Sequence, residues 1–288
     1  MTTKTPVAEE GLGQEFTKHV ITSFGPKTDP RLREVMGSFV QHIHDFAREV
    51  NLTVDEWLLG VEMINQAGQM SNERRNEGQL MCDVIGLETA ASKNANSGTL
   101  TAILGPFWRA DTPTRPNGTT ISFETPKDGI VSFLHGTITC ANTGKPIPNA
   151  SVEVWQASTN GLYEQQDADQ RDCNLRGKFI TDDKGRYSFY CLKPTPYPIP
   201  EDGPAGKLLR MLDRHFYRPA HLHFMVIADG FKSVTTQIFD SDSEYLGNDT
   251  VFAVKDGLTV TFTPRKGDPE ANWELEFNMS LATKKQDA

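Results

Sequence analysis

The sequence predicts a mainly β protein, with a two-sheet β-sandwich over residues 101–282 preceded by a helical region over residues 26–100. Two observations support this prediction. Apolar residues between positions 30 and 86 recur every three or four positions, which is the period of an amphipathic helix. After Trp108, short β-rich runs are punctuated by Gly, Pro, Asn and Asp, which is typical of a sandwich. We expect residues 1–25 and 283–288 to be mobile ends.

Three helices are expected in the first region, over residues 30–50, 54–66 and 71–86. Asp29 can cap the first helix, whose first turn holds a proline. Thr53 and Glu56 have the spacing of a capping box for the second helix. Ser71 can cap the third.

Eight strands are expected in the second region. They are bounded by turn-forming residues and rich in β-branched and aromatic side chains. Their ranges are 130–139, 150–156, 177–181, 185–191, 221–228, 233–239, 257–262 and 273–279.

Composition excludes several classes of function. The net charge of −9 argues against a nucleic-acid-binding protein. No stretch approaches the roughly 20 apolar residues of a membrane span, and the first twenty residues lack the apolar core of a signal peptide. Four scattered cysteines suit a reducing compartment, so we expect a cytoplasmic protein.

The most informative segment carries two histidines one residue apart: Arg218-Pro-Ala-His221-Leu-His223-Phe-Met-Val-Ile. Its apolar, β-prone run predicts a buried strand. Side chains alternate faces along a strand, so both imidazoles point the same way. Two converging neutral imidazoles form half of a metal site, and a pair of packed or hydrogen-bonded histidines is the alternative.

His42 and His44 have the same spacing in a different setting. The apolar residues around them follow helical periodicity. Positions i and i+2 of a helix do not face each other. We therefore expect a solvated helix face here and not a metal site.

The remaining ligands of the predicted metal site must come from another residue type. No carboxylate stands at the spacing of a metal-binding helix motif, and no Cys-x-x-Cys pair exists. Tyrosine is the remaining candidate. Tyr163 follows a predicted strand and a turn, and Tyr197 lies in Pro194-Thr-Pro-Tyr-Pro-Ile-Pro200, where four prolines stiffen the backbone. A surface-loop aromatic is the alternative for each tyrosine.

Five motifs then follow one another along the chain: Gly-Leu-Tyr163, Asn174-Leu-Arg176-Gly, Asp182-x-x-Gly-Arg186-Tyr, Pro-Tyr197-Pro-Ile-Pro and Arg218-Pro-Ala-His221-Leu-His223-Phe. This order resembles the intradiol ring-cleaving dioxygenases, which are non-haem Fe(III) enzymes that use O₂ to split catecholic rings between the two hydroxylated carbons. The resemblance covers residues 30–265 and is strongest over residues 100–240.

The resemblance implies Fe(III) as the cofactor, with four ligands: Tyr163, Tyr197, His221 and His223. Ferric iron is a hard cation that suits anionic oxygen ligands, and a metal lowers the pKa of a bound phenol. The resemblance also implies catalytic roles for Tyr197, Arg218 and Gln237. It further implies a substrate pocket formed by Leu80, Asp83, Gly105, Pro106, Phe107, Ile199, Pro200, Arg218 and Val251.

Within the family, the proline-rich loop around Tyr197 and the following Arg214-His215 most resemble hydroxyquinol 1,2-dioxygenases, whose product would be 3-hydroxy-cis,cis-muconate or its tautomer maleylacetate. Catechol and chlorocatechol 1,2-dioxygenases, which would give cis,cis-muconates, remain alternatives. Asp83 can accept a hydrogen bond from a third ring hydroxyl if its helix turns it inward, and a solvent-facing position is the alternative. One departure is Tyr245-Leu-Gly-Asn-Asp249, where the family usually has Asp-Ser-Asp after the Tyr-Leu pair.

Two other classes of protein share parts of this pattern. The segment Gly144-Lys-Pro-Ile-Pro-Asn-Ala-Ser-Val also resembles transthyretin-like or carbohydrate-binding sandwiches, which have no reason to keep the Tyr and His set. A cupin-like Zn or Fe(II) site would need a carboxylate beside the histidines, and no His-x-His-x-Glu pattern exists.

The broad apolar stripes of the helical region predict an interface. The family resemblance implies a homodimer through this region, often with a phospholipid between the subunits. A helical layer buried within one subunit is the alternative.

Overall fold

The computed structural model describes residues 13–92 and 98–284. The chain divides into two compact units, the first ending at Met63 and the second beginning at Ile64, within one continuous helix. In the described ranges, no helix is long and apolar enough to span a bilayer.

The first unit is helical and comprises α1 (Gln14–Thr22), α2 (Pro30–Glu49) and the first part of α3 (Val54–Met70). The expected caps are present. Asp29 accepts a 3.0 Å hydrogen bond from the backbone N–H of Leu32. Thr53 and Glu56 form a reciprocal capping box, with bonds of 2.9 and 3.3 Å. The sequence therefore predicts where both long helices begin, although α3 runs four residues further than expected.

Parts of both chain ends, which were expected to be mobile, form regular structure. Residues 1–12 and 285–288 lie outside the described residues. Helix α1 was not expected, and it lies within the predicted mobile segment. At the other end, Thr283 pairs with Phe231 and the Lys284 N–H donates to Gly230 O at 2.9 Å, so these residues continue the sandwich.

Helix α1 also corrects the prediction for His44. The His44 ring stacks on Phe16 at 5.4 Å, and its Nδ1 lies 3.0 Å from the hydroxyl of the buried Thr17. His42 is exposed, as expected. The expectation of a solvated face is therefore wrong for His44, because an unpredicted helix covers it.

One face of α2 exposes apolar side chains at helical spacing. Six of them are 36–56% exposed within the described chain: Leu32, Val35, Met36, Phe39, Ile43 and Phe46. Only Val40 of this helix is buried. Within the described residues, the apolar stripe of α2 therefore stays exposed.

The second unit contains two sheets and a short two-stranded ribbon. The first sheet has the order β1-β5-β2-β12-β11, with β13 also pairing with β2: β1 (Thr119–Thr120), β2 (Val131–Cys140), β5 (Arg186–Leu192), β11 (Thr263–Pro264), β12 (Trp273–Glu276) and β13 (Met279–Leu281). The second has the order β10-β9-β8-β3-β4: β3 (Ser151–Trp155), β4 (Arg176–Ile180), β8 (His221–Ile227), β9 (Val234–Asp240) and β10 (Thr259–Val260). The ribbon pairs β6 (Tyr197–Pro198) with β7 (Tyr217–Arg218).

The predicted two-sheet β-sandwich is confirmed. Along β2, every second residue is buried, as expected for a strand with one face in a core. Leu134 and Ile138 from the first sheet share one core cluster with Val154, Phe224 and Ile238 from the second. The expected strand over residues 257–262 is reduced to a 3₁₀ turn and β10, and that over 273–279 is split at residues 277–278.

Helices α4 (Glu77–Val84), α5 (Leu87–Ser92) and α6 (Pro204–Met211) also belong to the second unit. Leu80 and Val84 of α4 pack in one cluster with Ile199 and Phe239. Helix α4 therefore packs with the sandwich unit, although it precedes residue 100, near which the composition changes.

The cap of α4 is a second correction. Asn76, and not Ser71, accepts from the N–H of Gln79 at 2.9 Å and caps this helix. The Ser71 hydroxyl instead donates to Ala67 O at 2.7 Å and accepts from the Glu77 N–H at 3.0 Å. It bridges the end of α3 and the start of α4.

Candidate active site

Strand β8 places His221 and His223 on one face of the second sheet, as the alternation predicts. Both are only 2% exposed, and their Nε2 atoms lie 3.2 Å apart. Nδ1 of His221 lies 2.7 Å from Pro219 O, which can only accept a hydrogen bond. The proton of that ring is therefore on Nδ1, and Nε2 keeps its lone pair for a metal.

Both candidate tyrosines converge on these histidines. Tyr163 lies in the turn after β3, and Tyr197 begins β6. Their hydroxyls are 3.1 Å apart, and the Tyr197 hydroxyl lies 3.3 Å from His221 Nε2. Both are at least 95% buried, so the surface-loop alternative is excluded. Gly161 permits this approach, because at its φ of +81° an added Cβ would lie 2.9 Å from the Tyr197 Cβ.

The electrostatics of the four groups suit a bound cation. Burial lowers the pKa of both histidines well below the ordinary value, so the rings are neutral. Burial raises the pKa of both tyrosines, and the positive charge of Arg218 opposes that effect. Within the described residues, no three His, Cys, Asp or Glu side chains converge as metal ligands. Two phenol oxygens and two neutral imidazoles therefore form the candidate donor set, and they fit a hard trivalent ion.

Arg218 and Gln237 form a second layer behind the histidines. Arg218 Nη1 lies 2.9 Å from His221 Nε2, and its Nη2 donates to Gln237 Oε1 at 2.8 Å. The Gln237 amide nitrogen donates to Ile103 O at 2.9 Å and lies 3.2 Å from His223 Nδ1. The register of β8 and β9, which pairs His223 with Gln237, produces this arrangement.

Asp249 completes the second layer, and the sequence analysis gave it no role. Its carboxylate accepts from Arg218 Nε at 3.1 Å and from the N–H groups of Val251 and Ala253. Although burial lowers the pKa of Arg218, Asp249 holds it above the ordinary value. The only sequence signal was that Asp249 ends the segment that departs from the family pattern.

The residues of the expected pocket wall come from five separate segments, one of which is the Arg218 segment described above. Leu80, Ile199 and Val251 share one apolar cluster, and Pro200 next to it is half buried. Gly105 and Pro106 line a cavity of about 730 Å³, and the Phe107 ring stacks on Tyr163 at 4.7 Å. At its φ of +77°, Gly105 passes so close to His223 that an added Cβ would be 2.9 Å from the ring.

Asp83 lies on the buried face of α4 and not on the solvent face. It is 1% exposed, and neither carboxyl oxygen has a hydrogen-bond partner within the described chain. Burial, followed by the neighbouring Glu88, raises the pKa of Asp83 to about 9. Asp83 is therefore a neutral carboxylic acid at pH 7, which can both donate and accept a hydrogen bond.

Three further groups near the site were missed: the half-buried Glu88 and the buried Glu164 and Arg176. Glu88 accepts from the Leu104 N–H at 2.7 Å and from Gln79 at 3.0 Å. Arg176 and Glu164 form an ion pair beside Tyr163. Only Arg176 had a sequence signal, because it stands in the Asn-Leu-Arg-Gly motif.

Comparison with known proteins shows the family of the chain. Residues 103–283 match the family model described as Dioxygenase, and residues 29–98 match that described as Catechol dioxygenase N terminus. An intradiol ring-cleavage dioxygenase, prcA, of Aspergillus niger is 48% identical, covering 94% of this chain and 88% of the relative. A catechol 1,2-dioxygenase of Candida albicans is 47% identical, with 94% and 93% covered. A hydroxyquinol 1,2-dioxygenase of Rhizobium sp. is 39% identical, with 86% and 85% covered.

Solved structures agree as well. The crystal structure of hydroxyquinol 1,2-dioxygenase from Pseudomonas putida DLL-E4 has a TM-score of 0.79 at 33% identity, covering 94% of this chain and 98% of that chain. Catechol 1,2-dioxygenase from Acinetobacter sp. ADP1 has a TM-score of 0.77 at 30% identity, with 94% and 92% covered. The fold and site define an oxidoreductase of aromatic catabolism. The chain belongs to the intradiol ring-cleaving dioxygenases, an iron-dependent family.

Proposed function

We propose that Tyr163, Tyr197, His221 and His223 bind Fe(III), and that this site cleaves a catecholic ring between its two hydroxylated carbons with O₂. The observation that carries the proposal is the convergence of the four donors, whose successive contacts measure 3.1, 3.3 and 3.2 Å. When bound, ferric iron supplies a Lewis acid that lowers the pKa of the substrate hydroxyls and of the two phenols.

The residues around this centre have distinct parts in the proposed reaction. Tyr197 lies on the proline-rich loop and contacts His221, so it is the group that we expect to accept a proton from an incoming hydroxyl. Arg218 is positioned to stabilise negative charge on the ring, because Asp249 and Gln237 fix its guanidinium. Gly105 lies against the His223 ring and the Phe107 ring stacks on Tyr163, so both limit the space beside the proposed iron ligands.

Asp83 supports hydroxyquinol (benzene-1,2,4-triol) as the preferred substrate. Its buried carboxyl group forms no hydrogen bond of normal geometry with the described residues, although Glu88 is a close neighbour, and a third ring hydroxyl would supply a partner. Leaving such a group unpaired costs about 1–3 kcal/mol. That cost corresponds to a preference over catechol of about tenfold to hundredfold in kcat/KM.

Catechol is the second candidate substrate, and the relatives favour it. The Candida albicans catechol 1,2-dioxygenase is 47% identical to the chain, whereas the Rhizobium hydroxyquinol 1,2-dioxygenase is 39% identical. Chlorocatechols remain the third candidate. Oxygen uptake with hydroxyquinol, catechol, 4-methylcatechol and 3-chlorocatechol, with product identification, separates these candidates. Equal turnover of catechol and hydroxyquinol would refute the preference for the triol.

The metal assignment has its own test. Iron-loaded protein should be red to burgundy from phenolate-to-iron charge transfer, and His221→Ala and His223→Ala should lose both iron and colour. The exposed His42→Ala is the matched control and should keep both. An iron-loaded but colourless protein would exclude the two tyrosines as ligands.

We also propose a homodimer formed through the exposed apolar face of α2, with a phospholipid as a possible component of that interface. Mass spectrometry of an organic extract of the protein tests for the lipid.

The four cysteines, none of which forms a disulfide, support the expected cytoplasmic location.

A further inference from the structure

Arg176 is a fully buried arginine that the proposed reaction does not use. It follows two residues with left-handed backbone, Cys173 and Leu175, whose φ values are +58° and +54°. Residues other than glycine occupy this region at a cost in free energy, so the turn that delivers Arg176 to the interior is held by its surroundings. Asn174 and Leu175 hold it by hydrogen bonds to Phe123 N and Ile121 O.

The Arg176 guanidinium contacts two parts of the surroundings of Tyr163: the residues that follow it in the chain and the residue whose ring stacks on it. Its Nε and Nη2 form a two-point ion pair with Glu164, the residue next to Tyr163, at 2.9 and 3.0 Å. Nη2 also donates to Gln165 Oε1 at 2.8 Å and to Phe107 O at 2.9 Å. Phe107 is the residue whose ring stacks on Tyr163. One side chain therefore fixes the backbone after Tyr163 and the ring that packs against it.

Tyr163 and Tyr197 differ in how their surroundings hold them. The backbone of Tyr197 pairs only with Arg218 of the two-residue strand β7, and prolines flank it. Arg218 lies 2.9 Å from His221 Nε2, whereas Arg176 contacts Glu164, Gln165 and Phe107.

We propose that Arg176 is a positioning residue that keeps Tyr163 on the iron throughout turnover. The proposal rests on the proposed Fe(III) site. It assigns a task to the Asn-Leu-Arg-Gly motif: to place a permanent positive charge and four hydrogen bonds behind one of the two phenolates.

The test compares Arg176→Lys with Arg265→Lys. Arg265 also binds two carboxylates, those of Asp268 and Glu274, but it lies among strands of the first sheet. Both variants are loaded with Fe(III). We measure the rate of iron loss to a strong chelator, the phenolate-to-iron absorption band and the tyrosinate signals in resonance Raman spectra, with and without catechol.

Arg176→Lys should lose iron about tenfold to hundredfold faster than the wild type, the usual effect of removing a residue that orients a metal ligand. Its Tyr163 signal should weaken when catechol is bound, whereas Arg265→Lys should match the wild type in both measurements. A second variant, Arg176→Met with Glu164→Gln, removes both charges of this pair together. Arg109, the other partner of Glu164, keeps its ion pairs with Asp111 and Asp172. The double variant should show the same faster loss.

Two outcomes would overturn the proposal. A folded Arg176→Lys with wild-type iron loss and wild-type tyrosinate signals would make the ion pair a plain structural contact. Failure of both Arg176 variants to fold, with Arg265→Lys folded, would make it a determinant of stability and not of ligand retention. If the wild type itself binds no Fe(III) or shows no phenolate band, the proposed function fails first.

Discussion

At the scale of single residues, the site depends on buried polar groups that are fixed by specific partners. Arg218 is held by Asp249 and Gln237, so its charge is set in place before substrate arrives. Asp83 is the exception, because its carboxyl group is buried without a hydrogen-bond partner of normal geometry among the described residues. Under the proposed function, Arg218 serves catalysis and Asp83 serves ligand binding.

Asp249→Asn should weaken the hold on Arg218 while leaving the four iron ligands in place. We expect kcat to fall about tenfold to hundredfold, as for other residues that orient a group at a metal site. Iron content should stay near that of the wild type. Arg218→Ala should lower kcat further with iron retained. Equal loss of iron and activity in either variant would make Arg218 structural.

Asp83 predicts a pH dependence of stability. Its pKa is about 9 in the folded protein against a model value of 3.8. Between these values the unfolded chain binds fewer protons, so the free energy of unfolding falls as pH rises, by up to about 1.4 kcal/mol per pH unit. This contribution to stability is complete below pH 3.8 and is lost as the pH rises through about 9.

Asp83→Asn should remove that loss. In iron-free protein, the variant should gain stability over the wild type from pH 5 to pH 9, as measured by urea unfolding. The exposed Asp183→Asn serves as the control and should follow the wild type. Parallel curves for Asp83→Asn and the wild type would mean that Asp83 is ionised in the folded protein.

At the scale of elements, the pocket depends on contacts between segments that are far apart in sequence. Arg214 donates to Val84 O at the end of α4 at 2.6 Å and to Thr250 O at 2.7 Å. Its guanidinium also lies over the Phe252 ring at 4.6 Å. It therefore joins the helix that carries Asp83 to the segment that carries Val251.

Arg214→Met should weaken the contact between α4 and the segment that carries Val251, and it should leave the proposed iron ligands unchanged. We expect KM for the preferred substrate to rise about tenfold, the equivalent of one lost hydrogen bond from a charged group. Arg210→Met removes an exposed arginine of the nearby helix α6 and is the matched control. If KM is unchanged while thermal stability falls, Arg214 acts on stability alone.

At the scale of the whole molecule, the exposed face of α2 predicts association. Phe39 and Ile43 are 56% and 42% exposed, so a charge there should not unfold the subunit. Phe39→Glu and Ile43→Glu should convert a dimer to a monomer in light scattering at micromolar concentration. Ser38→Glu places the same charge beside the stripe and should leave the dimer intact. A wild-type protein that is already monomeric would reject the interface.

The sequence by itself determined the sandwich, the caps of α2 and α3, and the shared face of His221 and His223. These features follow from local rules, because alternation and capping involve residues only a few positions apart. The family motifs added both tyrosines and Gln237, which local rules could not have joined. Helix α1 was missed because its segment lacked a recognisable cap. The N-cap residue in the structure is Gly13, and no side chain caps the helix there.

Only the tertiary structure decided that Asp83 faces inward, that Asp249 pairs with Arg218 and that Arg176 supports Tyr163. Each depends on packing between segments separated by many residues, such as the 31 positions between Arg218 and Asp249. The rotation of α4 about its axis is set by the apolar cluster of Leu80 and Val84 with Ile199. Charge pairing and helix rotation are properties of the assembled core, so a single sequence carries no local pattern from which to read them.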